Sequence, residues 1–257
     1  TSQADAVRPQ HLSTPPLNDP LPERVVPRPY SPNQNLTRPG LNKVISELSQ
    51  AQPQMRQVTD FIATYSMKTL FLKPTEMVRG SKKAKELEED ITSYLNVPLS
   101  KAYGHWPVPS NTARRANGYT ALAWKHVVVK AKTGVNLNKI ADITDLTNAV
   151  EAAILALQAG KRQWSLSHIV RHYTDSGDHG GAIITWLHEM GHQVQFQAMR
   201  MDIPTPGLNE SITTYSMQDT MEWHAEHFAA WALNRAMLET HYPAIVAYFD
   251  ELMGELL

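Results

Sequence analysis

The chain has 257 residues, of which 42% are hydrophobic and 19% charged, and its formal net charge is -1. These values are those of an ordinary globular protein, and the balanced charge without a long basic run argues against a nucleic-acid partner. The absence of cysteine excludes disulfides and thiolate metal ligands, so any zinc would have to be held by histidine and carboxylate side chains. No apolar run reaches the roughly 18 residues of a membrane span.

Residues 1–40 are rich in proline and hold nine of the 17 prolines of the chain. Such density disfavours regular helix and favours extended backbone. We predict either a linker to an upstream module or a strap over the domain surface, and the scarcity of apolar anchors favours the linker. Because the first residues contain neither a methionine nor a leader-like pattern, the chain is expected to be a piece of a longer or processed protein.

Residues 41–160 are predicted to form a mainly helical part that supports a catalytic part in residues 161–257. Apolar residues at helical spacing begin at Leu41, and a second helix is expected over residues 53–70. A third helix is expected over residues 81–98. These helices are interpreted as packing elements without chemistry of their own.

The middle of the chain mixes loop, ambiguous and helical patterns. Residues 97–118 predict a loop that carries His105 and Trp106, where a buried Trp that pins the loop is favoured over a substrate groove. Residues 119–135 fit either a helix or a strand, and the pattern alone does not decide between them. A helix with start and stop signals at its ends is predicted over residues 146–159.

Residues 164–173 alternate in polarity and predict a strand directly before the next helix. The edge of a small sheet at this place could bind an extended peptide by strand addition. His168 and His172 would share one face of that strand, where hydrogen-bonded core histidines are favoured over contacts with a substrate.

Residues 188–192 read His-Glu-Met-Gly-His, which is an HExxH motif on a predicted helix that follows a Gly-Gly loop at 180–181. The four-residue offset puts His188 and His192 on one side of the helix, where they can bind one metal ion. Glu189 lies on the flank of the pair, as a general base for hydrolysis requires. The alternative is a core helix whose two histidines are merely hydrogen-bonded to neighbours.

Two histidines do not complete a zinc site, so a third ligand is expected from a downstream helix. A helix is predicted over residues 220–237, with Asp219 or Thr220 as its cap. Glu222 and Glu226 share one of its faces with small alanines, which would allow a close approach to the HExxH helix. Glu222 would then reach the metal, and Glu226 would hydrogen-bond a metal-bound histidine.

A family resemblance rests on two motifs, the helix-borne HExxH and the pattern Tyr-x6-Glu-x2-Ala-Glu-x-Phe-Ala that begins at Tyr215. Together they resemble the gluzincin-type metallopeptidase toxins whose best-known member is the catalytic domain of anthrax lethal factor. The resemblance spans residues 168–249 and implies that Glu222 is the third zinc ligand and that Tyr215 stabilises the oxyanion. The spacing between the two motifs is short for that family, and histidines at 224 and 227 replace apolar or small residues.

Three rivals for the third ligand stay open at this point. Glu210 lies 18 residues after His192, a spacing that suits enhancin-like peptidases. His224 or His227 could instead complete a three-histidine site.

We therefore predict an α+β, predominantly helical fold with a zincin-like catalytic core, a small sheet before the HExxH helix, and one metallopeptidase domain over residues 41–257. The predicted function is zinc-dependent hydrolysis of peptide bonds in a peptide or protein substrate, with Zn2+ as the cofactor. The resemblance to toxins implies a secreted or translocated bacterial effector, for example the C-terminal domain of a type VI secretion spike. It also implies an upstream delivery module and a cognate immunity protein.

Other functions compete with this prediction. A housekeeping zinc peptidase fragment and a non-catalytic metal-binding module both remain alternatives. A di-iron oxidase would need two Glu-x-x-His units, and the sequence holds only the one formed by Glu189 and His192.

Overall fold

The computed structural model describes residues 40–77, 81–82, 85, 117–120, 125–132, 134–200 and 210–257. Several predictions fall outside these residues: the proline-rich linker, most of the third helix, and the loop with His105 and Trp106.

Helices make up most of the described chain, and they pack against one three-stranded sheet. This confirms the predicted α+β, predominantly helical class. The helices are α1 (Leu41–Ala51), α2 (Met55–Thr64), α3 (Thr144–Gln158), α4 (Leu166–Tyr173), α5 (Gly177–Gln197), α6 (Thr220–Leu233), α7 (Arg235–His241) and α8 (Pro243–Leu256). The strands are β1 (Lys68–Leu72), β2 (Gly118–Tyr119) and β3 (His126–Lys130). None of the helices in the described residues is both long enough and apolar enough to cross a membrane.

The sheet has the order β1-β3-β2, with β1 parallel and β2 antiparallel to β3. The ambiguous stretch at 119–135 therefore contains a strand, because three consecutive valines, 127–129, are buried in β3. The predicted helix over 53–70 ends earlier than expected, since Leu70 belongs to β1. A left-handed residue, Ser66 with φ 52°, lies between that helix and the strand.

The predicted helix over 146–159 is confirmed as α3, and Gly160 follows it with φ 77°. By contrast, the strand predicted over 164–173 is wrong, because α4 occupies it. Ser165 caps α4 by accepting a hydrogen bond from the backbone N–H of His168 at 3.0 Å. Leu166, Ile169 and Val170 then form one buried helical face, so the 3.6-residue period prevails over the alternation.

The Gly-Gly pair at 180–181 was predicted as a loop, and this is also wrong, because both residues lie inside α5. They are glycine because neighbouring elements approach closely there. A Cβ on Gly180 would lie 2.7 Å from Val170, and one on Gly181 would lie 2.3 Å from the side chain of Arg171. Small residues thus allow α4 to pack directly on the first half of the HExxH helix.

Helix α6 packs more extensively against α5 than any other described element does. At the crossing, a Cβ on Gly191 would lie 2.8 Å from the Cα of Ala225 and 3.0 Å from the Cβ of Phe228. The sequence-based expectation that small residues bring the two helices together is therefore met at Gly191 and Ala225. This crossing places the α6 motif that contains Glu222 beside the HExxH motif of α5.

Gly191→Ala is expected to destabilise the protein by about 1–3 kcal/mol, because the added methyl meets backbone and the two helices must separate. Urea unfolding measures the change. Gly254→Ala in α8 is the matched control, since nothing lies within 4 Å of its added Cβ. In that exposed helical position alanine is expected to stabilise by roughly 0.5–1 kcal/mol. Equal effects of the two substitutions would contradict close packing at Gly191.

Candidate metal centre

The two histidines of the motif lie on one face of α5, with ring centroids 5.0 Å apart and ring planes at 83°. Both side chains are buried. Helix α5 is held against the sheet by Trp186, whose indole N–H donates to the hydroxyl of Thr69 in β1 at 2.9 Å. The helix that carries His188 and His192 is thus fixed from both sides, by the sheet and by α6.

Glu222 joins this pair from the first turn of α6. Its Oε1 lies 2.8 Å from Nε2 of His192 and 3.7 Å from Nε2 of His188. Asp219 caps α6 as predicted, since its side chain accepts from the backbone N–H of Glu222 at 2.8 Å. The predicted helix over 220–237 breaks at Asn234, which caps α7, and this leaves the position of Glu222 unaffected.

The donor atoms of this cluster are buried without hydrogen bonds. Within the described residues, Nε2 of both histidines and both carboxylate oxygens of Glu222 have no hydrogen-bond partner. The 2.8 Å contact between His192 and Glu222 is thus a charge contact that lacks hydrogen-bond alignment. Buried polar atoms without partners are costly. Two imidazole nitrogens and a carboxylate that converge in this way fit a divalent zinc ion, which takes this donor set.

Glu226 lies one turn further along α6 and contacts the other ring nitrogen of His188. Its Oε2 is 2.9 Å from Nδ1 of His188, the contact expected from the sequence. Its Oε1 accepts from the backbone N–H of Leu166 at 2.8 Å and from the hydroxyl of Thr213 at 3.3 Å. Sequence reasoning missed the last two contacts, because it placed Leu166 in a strand. The Ser165 cap signal could have revealed that a helix begins there.

The imidazoles and carboxylates of the cluster shift each other's pKa values. Burial opposes a charge on His188, but Glu222 and Glu226 outweigh it and raise the pKa of His188 well above its usual value. Burial also opposes ionisation of Glu222, yet the imidazoles of His192 and His188 lower its pKa to about 2. Glu222 is therefore ionised at neutral pH, the state in which a carboxylate binds a cation.

Glu189 is fully buried beside the histidines, and His188, Glu189 and His192 each offer a ligand atom within 4.8 Å of the others. Strand β2 lies against it. A Cβ on Gly118 would be 3.1 Å from Cγ of Glu189 and 2.9 Å from Cγ2 of Thr185. Sequence reasoning missed Gly118, which gives the sheet edge room to approach the carboxylate.

Tyr215 also lies at the cluster, in a short 3-10 turn before α6. Its ring stacks on the ring of His188 at 5.3 Å with an angle of 20°, and it also lies 5.7 Å from the ring of Trp164. The backbone N–H of Tyr215 donates to the carbonyl of Trp164 at 2.9 Å. The structure therefore places the predicted oxyanion donor next to a predicted metal ligand.

The rivals for the third ligand lie elsewhere. Glu210 is exposed, whereas the cluster is buried. His224 is directed away, with its Nε2 3.0 Å from the hydroxyl of Tyr248. Burial, reinforced by nearby His192, lowers the pKa of His224 to about 3, while the carbonyl of Gly191 acts in the opposite direction.

His227 uses both ring nitrogens in other contacts. Its Nδ1 lies 2.7 Å from the carbonyl of Trp223, and its Nε2 lies 3.2 Å from the backbone N–H of Ile212. Nδ1–H is therefore the donor and Nε2 the acceptor, which only the neutral ring allows. Burial is the main cause that lowers the pKa of His227 to about 4, and Arg162 lowers it further.

His227 is expected to make the protein acid-labile. The unfolded ring has a pKa near 6.5 and the folded ring about 4, so between these values the unfolded state binds more protons. The contribution to stability is complete above about pH 6.5 and falls by up to about 1.4 kcal/mol per pH unit as the pH drops toward 4. Urea unfolding at several pH values should show a shallower slope for His227→Gln, while the exposed control His241→Gln keeps the slope of the unsubstituted protein. Identical slopes in all three proteins would contradict the assignment.

His168 and His172 are not part of the buried cluster. They lie one turn apart on α4 with ring centroids 4.4 Å apart, and His168 is half-buried while His172 is exposed.

The chain matches no family model, no curated protein sequence and no solved structure. The functional assignment therefore rests on the residues of the site.

Proposed function

We propose that this chain is a zinc-dependent metallopeptidase with a zincin-like core, in which His188, His192 and Glu222 hold the metal. One observation carries the proposal: two imidazole nitrogens and a carboxylate converge in the interior, and none of these atoms has a hydrogen-bond partner in the described residues. The close crossing of α5 and α6 holds these atoms in place, as a pre-organised site requires.

Each neighbouring residue has a role in hydrolysis. Zinc, when bound, supplies a Lewis acid and lowers the pKa of a water toward 7. Glu189 accepts the proton of the attacking water and later returns it to the leaving amine. Tyr215 donates a hydrogen bond to the oxyanion. Glu226 accepts from Nδ1–H of His188, which leaves Nε2 of that ring free to bind the metal.

Elemental analysis and a cleavage assay test the proposal together. The purified protein is expected to hold one zinc per chain and to cleave an unfolded protein such as reduced casein. A chelator should stop cleavage, and added zinc should restore it. Two irons per chain would select an oxidase instead, and no bound metal would overturn the proposal.

A non-catalytic metal module is the second candidate, and the burial of Glu189 favours it. A fourth protein ligand would close the site, as in structural zinc centres. One zinc per chain without cleavage of any substrate would support this candidate.

We also propose that the domain acts as a secreted or translocated effector. The resemblance of its two motifs to metallopeptidase toxins supports this role. Such a domain would need a delivery module, a protein target and a cognate immunity protein. Expression in bacteria tests this role. The unsubstituted protein should inhibit growth when it is expressed in the compartment that contains its target, whereas Glu189→Ala should not.

A further inference from the structure

The carboxylate of Glu226 contacts hydrogen-bonding groups from three separate parts of the chain. Its Oε2 lies 2.9 Å from Nδ1 of His188 in α5. Its Oε1 accepts from the backbone N–H of Leu166 at 2.8 Å and from the hydroxyl of Thr213 at 3.3 Å. The side chains of Glu226, His188 and Thr213 are all buried. Because water is excluded from this place, protein groups have to orient the carboxylate.

The contact with Leu166 is made by the end of a helix. Leu166 is the first residue of α4, and the backbone N–H groups of a first turn have no partner within their own helix. A carboxylate is favoured there, because a helix N-terminus carries partial positive charge. This contact comes from the backbone, so the side chain of Leu166 does not control it. Thr213 is therefore the residue whose side chain decides how Oε1 of Glu226 is held.

A second contact of Thr213 sets the direction of its hydroxyl. The backbone N–H of Ser216 donates to Oγ1 of Thr213 at 3.3 Å, so the hydroxyl oxygen is the acceptor in that contact. Oε1 of Glu226 already accepts from the Leu166 N–H. A hydroxyl has one proton to donate, and Oε1 of Glu226 is the acceptor that this proton reaches.

The chain on either side of this threonine is held as well. The backbone N–H groups of Thr214 and Tyr215 donate at 2.9 Å to the carbonyls of residues 163 and 164, directly before α4. The backbone N–H of Ile212 donates to Nε2 of His227 in α6 at 3.2 Å. The hydroxyl is thus carried by a turn that is fixed both to α6 and to the chain that leads into α4.

We propose that Thr213 is a positioning residue for His188 and acts through Glu226. Its hydroxyl holds the carboxylate of Glu226 in the orientation in which Oε2 faces Nδ1 of His188. That contact in turn keeps Nε2 of the same ring on the side of Glu222, 3.7 Å from its Oε1. The inference rests on the proposed function only in taking His188 as a metal ligand.

The turn that contains Thr213 supports the ring of His188 in two ways. Thr213 acts on a ring nitrogen through Glu226, and Tyr215 stacks on the face of the ring at 5.3 Å. The hydroxyl contact is longer than the usual O–H···O bond of about 2.5–3.0 Å. Its loss should therefore lower zinc affinity about 2–10-fold, the effect of one modest hydrogen bond. This is less than the roughly 10–100-fold expected for loss of Glu226 itself.

Zinc affinity, measured by competition with a chelator, tests the proposal without an activity assay. Thr213→Val keeps the shape and removes the hydroxyl, so affinity should fall about 2–10-fold. Thr213→Ser keeps the hydroxyl and should restore most of the affinity. Ser216→Ala is the control, because it removes the side-chain contact with the Thr213 carbonyl at 2.7 Å and leaves the Glu226 contact intact. Unchanged affinity in Thr213→Val, or an equal loss in Ser216→Ala, would overturn the proposal.

A double-mutant cycle separates the two contacts of the hydroxyl, because Thr213→Val also removes the acceptor of the Ser216 N–H. In a Glu226→Ala background, Thr213→Val should change zinc affinity by less than about twofold. The same loss in both backgrounds would show that the hydroxyl does not act through Glu226. If Thr213→Val fails to fold, Thr213→Ser and Thr213→Ala take its place, since these two differ only in the hydroxyl. Equal zinc affinity of that pair would overturn the proposal.

The nuclear magnetic resonance of the Nδ1 proton of His188 gives a second readout in the zinc-bound protein. This resonance should shift in Thr213→Val and stay in place in Ser216→Ala. An unchanged resonance in Thr213→Val would overturn the role of the hydroxyl. If the unsubstituted protein binds no zinc, the proposed function and the support of His188 both fail. If it binds zinc and Thr213→Val binds it equally well, only the role of Thr213 fails.

Discussion

Glu189→Ala is expected to reduce peptide cleavage by roughly 10²–10⁴-fold, the usual contribution of a general base, and to leave zinc bound. Glu189 directly follows the predicted metal ligand His188 on α5. Strand β2 lies against it, since a Cβ added to Gly118 would be 3.1 Å from Cγ of Glu189. Removing it should therefore affect proton transfer while His188, His192 and Glu222 remain in place. kcat/KM on a peptide substrate and zinc content of the same preparation measure the two effects.

Glu189→Gln and Glu210→Ala complete this experiment. The glutamine keeps the volume in the fully buried position but is not a base, so its loss of activity should match that of alanine. Glu210 is exposed, and its removal should change neither activity nor zinc content. Full activity of Glu189→Ala would show that Glu189 is not the general base. Loss of zinc in both Glu189 variants would mean that the site is closed by a fourth ligand and belongs to a structural metal module.

The sequence predicted the parts of the site that depend on local spacing. An offset of four residues places His188 and His192 on one helical face in any α-helix, so their juxtaposition follows from the motif alone. The cap by Asp219 and the 3.6-residue period likewise predicted α6 and the direction of Glu222. These are short-range properties, and the structure agrees with them.

Predictions failed where tertiary packing decides the conformation. Residues 164–173 alternate in polarity and therefore predicted a strand, whereas the Ser165 cap and burial on one face accompany a helix. Gly180 and Gly181 suggested a loop, yet they are glycine because α4 lies against them. The register of β1 with β3 joins residues far apart in the chain, so no local pattern specifies it. The contact between Gly118 and Glu189 depends on that sheet and was therefore not predictable.

Glu222→Ala is expected to lower zinc affinity by more than the 10–100-fold typical of residues that only support a ligand. Oε1 of Glu222 lies 2.8 Å from Nε2 of His192 and 3.7 Å from Nε2 of His188. Without it, two imidazoles remain, which do not complete a zinc site. Chelator competition measures the affinity. Thermal unfolding adds a second measure, because zinc at 100 times its Kd stabilises a folded protein by about 2.7 kcal/mol.

Glu210→Ala and His227→Gln distinguish Glu222 from its rivals. His227 already engages Ile212 and Trp223 with its two nitrogens, so its loss should change stability without removing the stabilisation by zinc. Glu210→Ala should keep both the stability of the protein and its stabilisation by zinc. If Glu222→Ala still gains stability from zinc while one of these variants does not, the third ligand has been assigned to the wrong residue. The converging atoms of α5 and α6 would then need another explanation for their burial, since buried polar atoms without hydrogen-bond partners are costly in a protein interior.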